Sequence, residues 1–233
     1  MQKRVHIIQQ EEWVAPGAIL DWAIERGFAV TTTRVWEFES LPERAEADLL
    51  VILGGWQSPA TTPDQCPHFD SAAQQRLIRA FVDAGRAVLG VCLGAQLLGS
   101  ALGAPFARSP EREIGAVPAR LTEAGRADRC LRAFPDVFEA GQWHADMPGL
   151  TPDAAVLAVS EGCPRQIVRY GEKVYGFQTH MEFTRAIIEG GIASVGGEIR
   201  AKGRFVQSAD ELRAIDYGRM NALLKTFLDA LMS

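Results

Sequence analysis

Along the first hundred residues, runs of consecutive apolar positions alternate with segments in which apolar residues recur at helical spacing. Arg4 to Gln9, Phe28 to Val35 and Asp48 to Leu53 have strand length. The third is apolar after Asp48, as a parallel strand covered on both faces requires. Pro16 to Gly27 predicts a helix, with Pro16 near its first turn, Ile19, Leu20, Ala23 and Ile24 on one face, and Gly27 as its stop. After a polar, proline-bearing loop over residues 56–69, Asp70 or Ser71 can cap a helix that turns Leu77, Ile78, Phe81 and Val82 inward and ends at Gly85. Alternating strands and helices predict an α/β fold, a doubly wound, mostly parallel sheet flanked by helices, with its site at the carboxyl ends of the strands.

The stretch Arg86 to Gly103 organises this pattern. Ala87 to Val91 is an uninterrupted apolar run, and from Ala95 onward Leu97, Leu98, Ala101 and Leu102 fall at helical spacing, so the period changes at Cys92. Gly90 and Gly94 stand two positions to either side, where a sharp strand-to-helix turn needs small residues. Such an elbow pushes the thiol out over a helix N-terminus, where unpaired amides and the helix dipole favour a thiolate. Free cysteine is also a common buried residue, so the stretch alone leaves a nucleophile and a structural thiol both open. Its glycines, with Gln96 and Ser100, make it a strand and helix rather than a membrane span.

Beyond the elbow the runs shorten. Ala116 to Leu121, Ala155 to Ser160, Gln166 to Tyr170 and Lys173 to Gln178 predict strands, the last two joined by a turn at Tyr170 to Lys173. The C-terminal part reads as helical, with Ser208 to Glu211 matching a capping box before an apolar-periodic run to Leu231. No repeat or linker interrupts the 233 residues, and one domain over residues 1–233 is expected.

Composition narrows the classes. A hydrophobic fraction of 47% supports a sizeable core, while a net charge of -5 without basic runs argues against nucleic acid as a partner. The N-terminus enters its first strand directly, without an apolar segment and cleavage site, so a cytoplasmic protein that does not engage membranes is expected. Cys66, Cys92, Cys130 and Cys163 are scattered with no C-x-x-C, which fits reduced thiols. Cys66 and His68 could serve as metal ligands, yet no second close pair supports them, and no metal site is expected.

A thiolate nucleophile needs a base and a group to orient it. Val174 to Gln178 runs as a strand toward His180, with Glu182 two positions on, so in extended structure both side chains point the same way. Taken alone, the pair also fits a plain strand end. Gly54-Gly55-Trp56, leaving the third strand, could present an amide to a tetrahedral oxyanion, with the Leu93 amide as second donor.

Together, Gly54-Gly55, Gly90-Val-Cys92-Leu-Gly94-Ala-Gln96 and His180-Met-Glu182 resemble, in order and separation, the signature of the class I glutamine amidotransferase family, in a stand-alone form similar to a GMP synthase glutaminase domain. The resemblance implies that family's flavodoxin-like sheet. It implies a Cys92-His180-Glu182 triad, an oxyanion hole of the Gly55 and Leu93 amides, and substrate contacts from Gly54 and Gln96. Trp143-His144-Ala145-Asp146 looks like the family's [S/N]-H-G-[D/F] loop, which helps hold the glutamine backbone, with Ala145 in place of the glycine. The implied reaction releases ammonia from the glutamine side chain through a γ-glutamyl thioester and needs no cofactor. No G-x-x-x-x-G-K-[ST] loop occurs in the sequence, so a synthetase accepting that ammonia is expected to be a separate chain. A γ-glutamyl hydrolase or peptidase with the same triad, and a non-catalytic binding or regulatory protein on this fold, are the alternatives.

Overall fold

The computed structural model describes residues 2–200 and 203–233. Its elements in chain order are β1 (Arg4–Gln9), α1 (Ala18–Glu25), β2 (Ala29–Arg34), β3 (Leu49–Ile52), α2 (Ser71–Asp83), β4 (Ala87–Val91), α3 (Leu93–Ala101), β5 (Ala107–Leu121), α4 (Glu123–Ala127), β6 (Val137–Met147), β7 (Ala155–Ser160), β8 (Ile167–Gly171), β9 (Val174–Phe177), α5 (Arg185–Val195), α6 (Gly197–Arg200), β10 (Phe205–Val206), α7 (Ala209–Ala214) and α8 (Tyr217–Leu231).

The strands form one sheet in the order β10-β5-β7-β8-β9-β4-β3-β1-β2, with β6 also paired to β5. The block β2-β1-β3-β4-β9 is parallel throughout, whereas β5 to β9 are linked by antiparallel pairs. Two apolar cores follow from the pleat. Alternate residues of β1 and β3 face opposite sides, so Val5, Ile7, Leu49 and Val51 pack with α1 and α8, and Ile8, Leu50 and Ile52 with α2 and α3. Helix α2 starts at the Asp70 cap, whose side chain accepts from the Ala73 amide.

Three expectations need correction. In α1, Ile19 and Ala23 are buried, but Ile24 is 63% exposed and Leu20 only half-buried; Trp22 fills the core position instead and donates to Asp229 of α8. The helical run to Leu231 is two helices. Ser208 and Glu211 form the capping box of α7, Ile215 leaves the helical conformation, and Asp216 caps α8 afresh. The segment around Trp143 to Asp146 is not a loop but part of β6, paired with β5 on either side of a bulge at Ala145.

Candidate active site

Three adjacent parallel strands, β3, β4 and β9, deliver the predicted residues to one edge. Cys92 leaves β4 with φ 52° and ψ -110° and caps α3, one of two non-glycine residues with positive φ among those described. That strained turn is held by the neighbours the pattern singled out. A Cβ on Gly94 would overlap the Ile52 carbonyl at the end of β3, and one on Gly90 would overlap Gly94 itself. The Cys92 amide donates to the Phe177 carbonyl at 2.7 Å, fastening the elbow to the end of β9. Its Sγ lies 3.9 Å from the Trp143 carbonyl. Leu93 is the first residue of α3, so its amide has no intrahelical acceptor.

His180 follows β9 and is fixed from several sides. Its backbone exchanges hydrogen bonds with Gly141 of β6, and its ring stacks on Phe183 at 4.1 Å and 10°. Nδ1 donates to Glu182 Oε1 at 2.6 Å, both side chains being almost fully buried, which leaves Nε2 for another partner. A Cβ on Gly54 would lie 3.1 Å from His180 Cε1 and 3.3 Å from Cys92 Cβ, so the imidazole and the cysteine flank the same glycine. Burial opposes the charged imidazolium, but the Glu182 carboxylate and the charge and hydrogen bond of Cys92 more than offset it and push His180 up to about 10. Asn221 of α8 donates to the carbonyls of Met181 and Phe183, clamping the turn that carries Glu182.

Gly55, Cys92, Gln96, Trp143, His144, Ala145, Asp146 and His180 line one pocket of about 190 Å³. Gln96 is 4% exposed and donates to Gln178, which sequence reasoning did not single out. Ala145 shows no backbone penalty, because no non-glycine residue other than Phe38 and Cys92 has positive φ among those described, and the extended β6 accepts alanine as readily as glycine.

The strand position of His144 brings in residues that carried no signal in the sequence pattern. His144 Nε2 lies 3.1 Å from Gln142 Oε1 and 3.2 Å from Oε2 of Glu113, a carboxylate with no exposed surface that also accepts from Ser160 and Gln166. Acceptors on the Nε2 side put the proton there. Nδ1 is buried and unpartnered among the described residues. Glu113, His144 and Cys163 offer ligand atoms within 4.8 Å of one another. Burial pushes the Cys163 thiol up to about 11, and Glu113 is occupied by three donors, so this cluster is a hydrogen-bonded network before it is a metal cage. Cys66 and His68 do approach, at 3.2 Å, with Glu11 Oε1 at 3.3 Å from His68 Nε2, in the loop before α2.

A cysteine at a strained strand-to-helix elbow on the carboxyl end of a central parallel strand, near a buried His–Glu pair just beyond the end of the next strand, defines the class. The profile of class-I glutamine amidotransferases matches residues 17–189, and the chain belongs to that family. Over 231 residues, 98% of this chain, it is 52% identical to 97% of YfeJ, a glutamine amidotransferase-like protein of Salmonella typhimurium. A glutamine amidotransferase crystal structure from Thermotoga maritima superposes with a TM-score of 0.87 at 25% identity, covering 100% of this chain and 99% of that one. One subunit of the glutamine-hydrolysing GMP synthase of Methanoculleus marisnigri is 32% identical over 110 residues, 46% of this chain and 58% of that protein. No helix among the described residues is long and apolar enough to cross a membrane.

Proposed function

We propose that this chain, acting as one domain, hydrolyses the side-chain amide of glutamine with Cys92 as nucleophile, His180 as acid–base and Glu182 as its orienting partner. The observation that carries this reading is Cys92, held at φ 52° beside an imidazole whose Nδ1 is 2.6 Å from a buried carboxylate. The Cys92 thiolate attacks the γ-carbonyl, and the oxyanion accepts hydrogen bonds from the Gly55 and Leu93 amides. As the tetrahedral intermediate collapses, the C–N bond breaks and His180 gives its Nε2 proton to the departing ammonia. Water, losing a proton to His180, then cleaves the γ-glutamyl thioester and releases glutamate. Gly54, Gln96 and the Trp143 to Asp146 segment of β6 hold the amino-acid end, and no cofactor takes part. The likeness to a GMP synthase made of separate subunits supports a separate synthetase chain as ammonia acceptor.

A second reading, a γ-glutamyl hydrolase with the same residues, is favoured by Trp13, Trp56 and Trp143, which line the pocket and could receive a leaving group larger than ammonia. One assay separates the readings: purified protein alone with glutamine or γ-glutamyl dipeptides, scored for ammonia and free glutamate. The expected result is Cys92-dependent glutamate release, with Cys92→Ala folded and inert. An active Cys92→Ala protein, or a glutamine-like affinity label attaching to Cys66, Cys130 or Cys163 in preference, would overturn the assignment. Product that forms only when cell extract is added would mark the chain as partner-dependent.

A further inference from the structure

Between the pairs Arg108↔Asp146 and Glu113↔His144, β5 contributes Ser109 to Arg112 where β6 contributes only Ala145. This bulge is pinned to one carbonyl, which accepts from Ser109 Oγ at 3.1 Å and from the Glu111 amide at 3.1 Å: that of Gly162. A bulge redirects side chains. Here it parts two neighbours, sending Glu113 into the network with His144, Ser160 and Gln166 and leaving Arg112 on the pocket wall beside Cys92 and Trp143.

Arg112 is half-buried and makes no ion pair or hydrogen bond among the described residues. The other arginine of the wall, Arg108, is neutralised by Asp146 at 3.0 Å. Asp146 is thereby engaged, and Glu113 is turned away and occupied by three donors, so among the described residues the wall supplies Arg112 with no counter-charge. A guanidinium has five donors in a planar fork that matches a carboxylate with two parallel hydrogen bonds. Partly withdrawn from water and left unpaired in a reaction pocket, it is completed by an acceptor that arrives with the ligand.

We infer that Arg112 binds a carboxylate of the substrate, so that the pocket selects γ-glutamyl compounds that carry it. This rests on the reading of the pocket as a γ-glutamyl site. The carboxylate has two sources: the α-carboxylate of the glutamyl half, or a carboxylate on the leaving group beyond the scissile amide.

Calorimetric titration of the Cys92→Ala protein and the Cys92→Ala/Arg112→Gln protein distinguishes them, with glutamine, glutamine α-amide, γ-glutamylglycine and γ-glutamylglycinamide as ligands. Pairing to the α-carboxylate predicts that Arg112→Gln weakens glutamine and both dipeptides by about ten- to a hundredfold and leaves glutamine α-amide unchanged. Pairing to the leaving group predicts the same loss for γ-glutamylglycine alone. In either case Arg112→Lys recovers part of the loss, since the charge remains and the fork does not. Equal weakening of all four ligands, no weakening of any ligand, or no binding of any ligand by the Cys92→Ala protein overturns the assignment. Failure of the hydrolytic reading would look different: wild-type protein would release no glutamate from compounds that the Cys92→Ala protein binds in an Arg112-dependent way.

Discussion

The His180–Glu182 pair sets the pH behaviour. His180 is raised from 6.5 to about 10 in the folded chain. A histidine held above its unfolded value contributes stability that is fully present below about pH 6.5 and is lost as pH rises through about 10. Denaturant titrations of wild-type and His180→Asn protein are therefore expected to diverge most at or below neutral pH and to converge by pH 10. In the proposed mechanism the same proton goes to the departing ammonia, so the alkaline limb of kcat/KM should lie well above the range of a free imidazole and move to lower pH in Glu182→Gln. His180→Asn is expected to lose about a thousandfold or more in kcat, and Glu182→Gln about a hundredfold, since an amide oxygen still orients the ring while the charge is gone. Equal, negligible losses in both variants would leave the pair a structural strand end. The pair was legible from its two-residue spacing, although the structure joins His180 to Glu182 across a bend beyond β9 rather than in the extended chain the sequence suggested. Glu113 and Gln178 were not, because their partners are far off in sequence and a buried polar residue in a strand looks the same as an exposed one in the pattern.

Among the elements, the β4–α3 elbow is the one the sequence describes most completely. Its strand bounds, Ala87–Val91, coincide with the apolar run, and the helix begins two residues before the predicted Ala95 because Leu93 and Gly94 complete its first turn. Gly94→Ala tests the elbow, as a methyl group there meets the Ile52 carbonyl rather than a side chain that can swing away. A loss of about 2 kcal/mol or more by denaturant unfolding is expected, with any remaining folded protein inactive. Strand β6 escaped the pattern for a physical reason. Its inward-facing Gln142 and His144 are polar, Gln142 bonding Thr179 and His144, and His144 Nε2 also approaching Glu113, so a buried strand carries no apolar signature there. Half of β5 escaped as well, since Pro110 and the charged residues from Arg108 to Glu113 break the alternation where the bulge lies. The split between α7 and α8 is visible in retrospect at Asp216, which caps the second helix where the apolar period continues through the break.

Taken as a whole, the molecule joins its two ends behind the site. Helix α8 packs on α1, where Asp229 accepts from Trp22 at 2.9 Å and from Arg26 at 2.6 and 2.8 Å, and its Phe227 packs against Tyr175 and Phe177 of β9. Alternating runs in the sequence were enough to place a parallel sheet with chemistry at its carboxyl edge. They held no information on which distant helix would close over it. Asn221→Ala measures that closure: losing two hydrogen bonds to the turn should cost about 1–3 kcal/mol in stability and lower kcat more than it changes KM, because the Glu182 turn and not the pocket wall is released. An unchanged kcat would mean that the turn holds itself. The Asn221 clamp also has a consequence in time. During synthesis Cys92, His180 and Glu182 all emerge before α8 does, so the nascent chain carries the proposed nucleophile and base without the helix that clamps the Glu182 turn. A ribosome stalled, or a protease cutting, between Phe183 and Asn221 would yield a fragment with every proposed catalytic residue and no clamp, tying hydrolysis to completion of the fold.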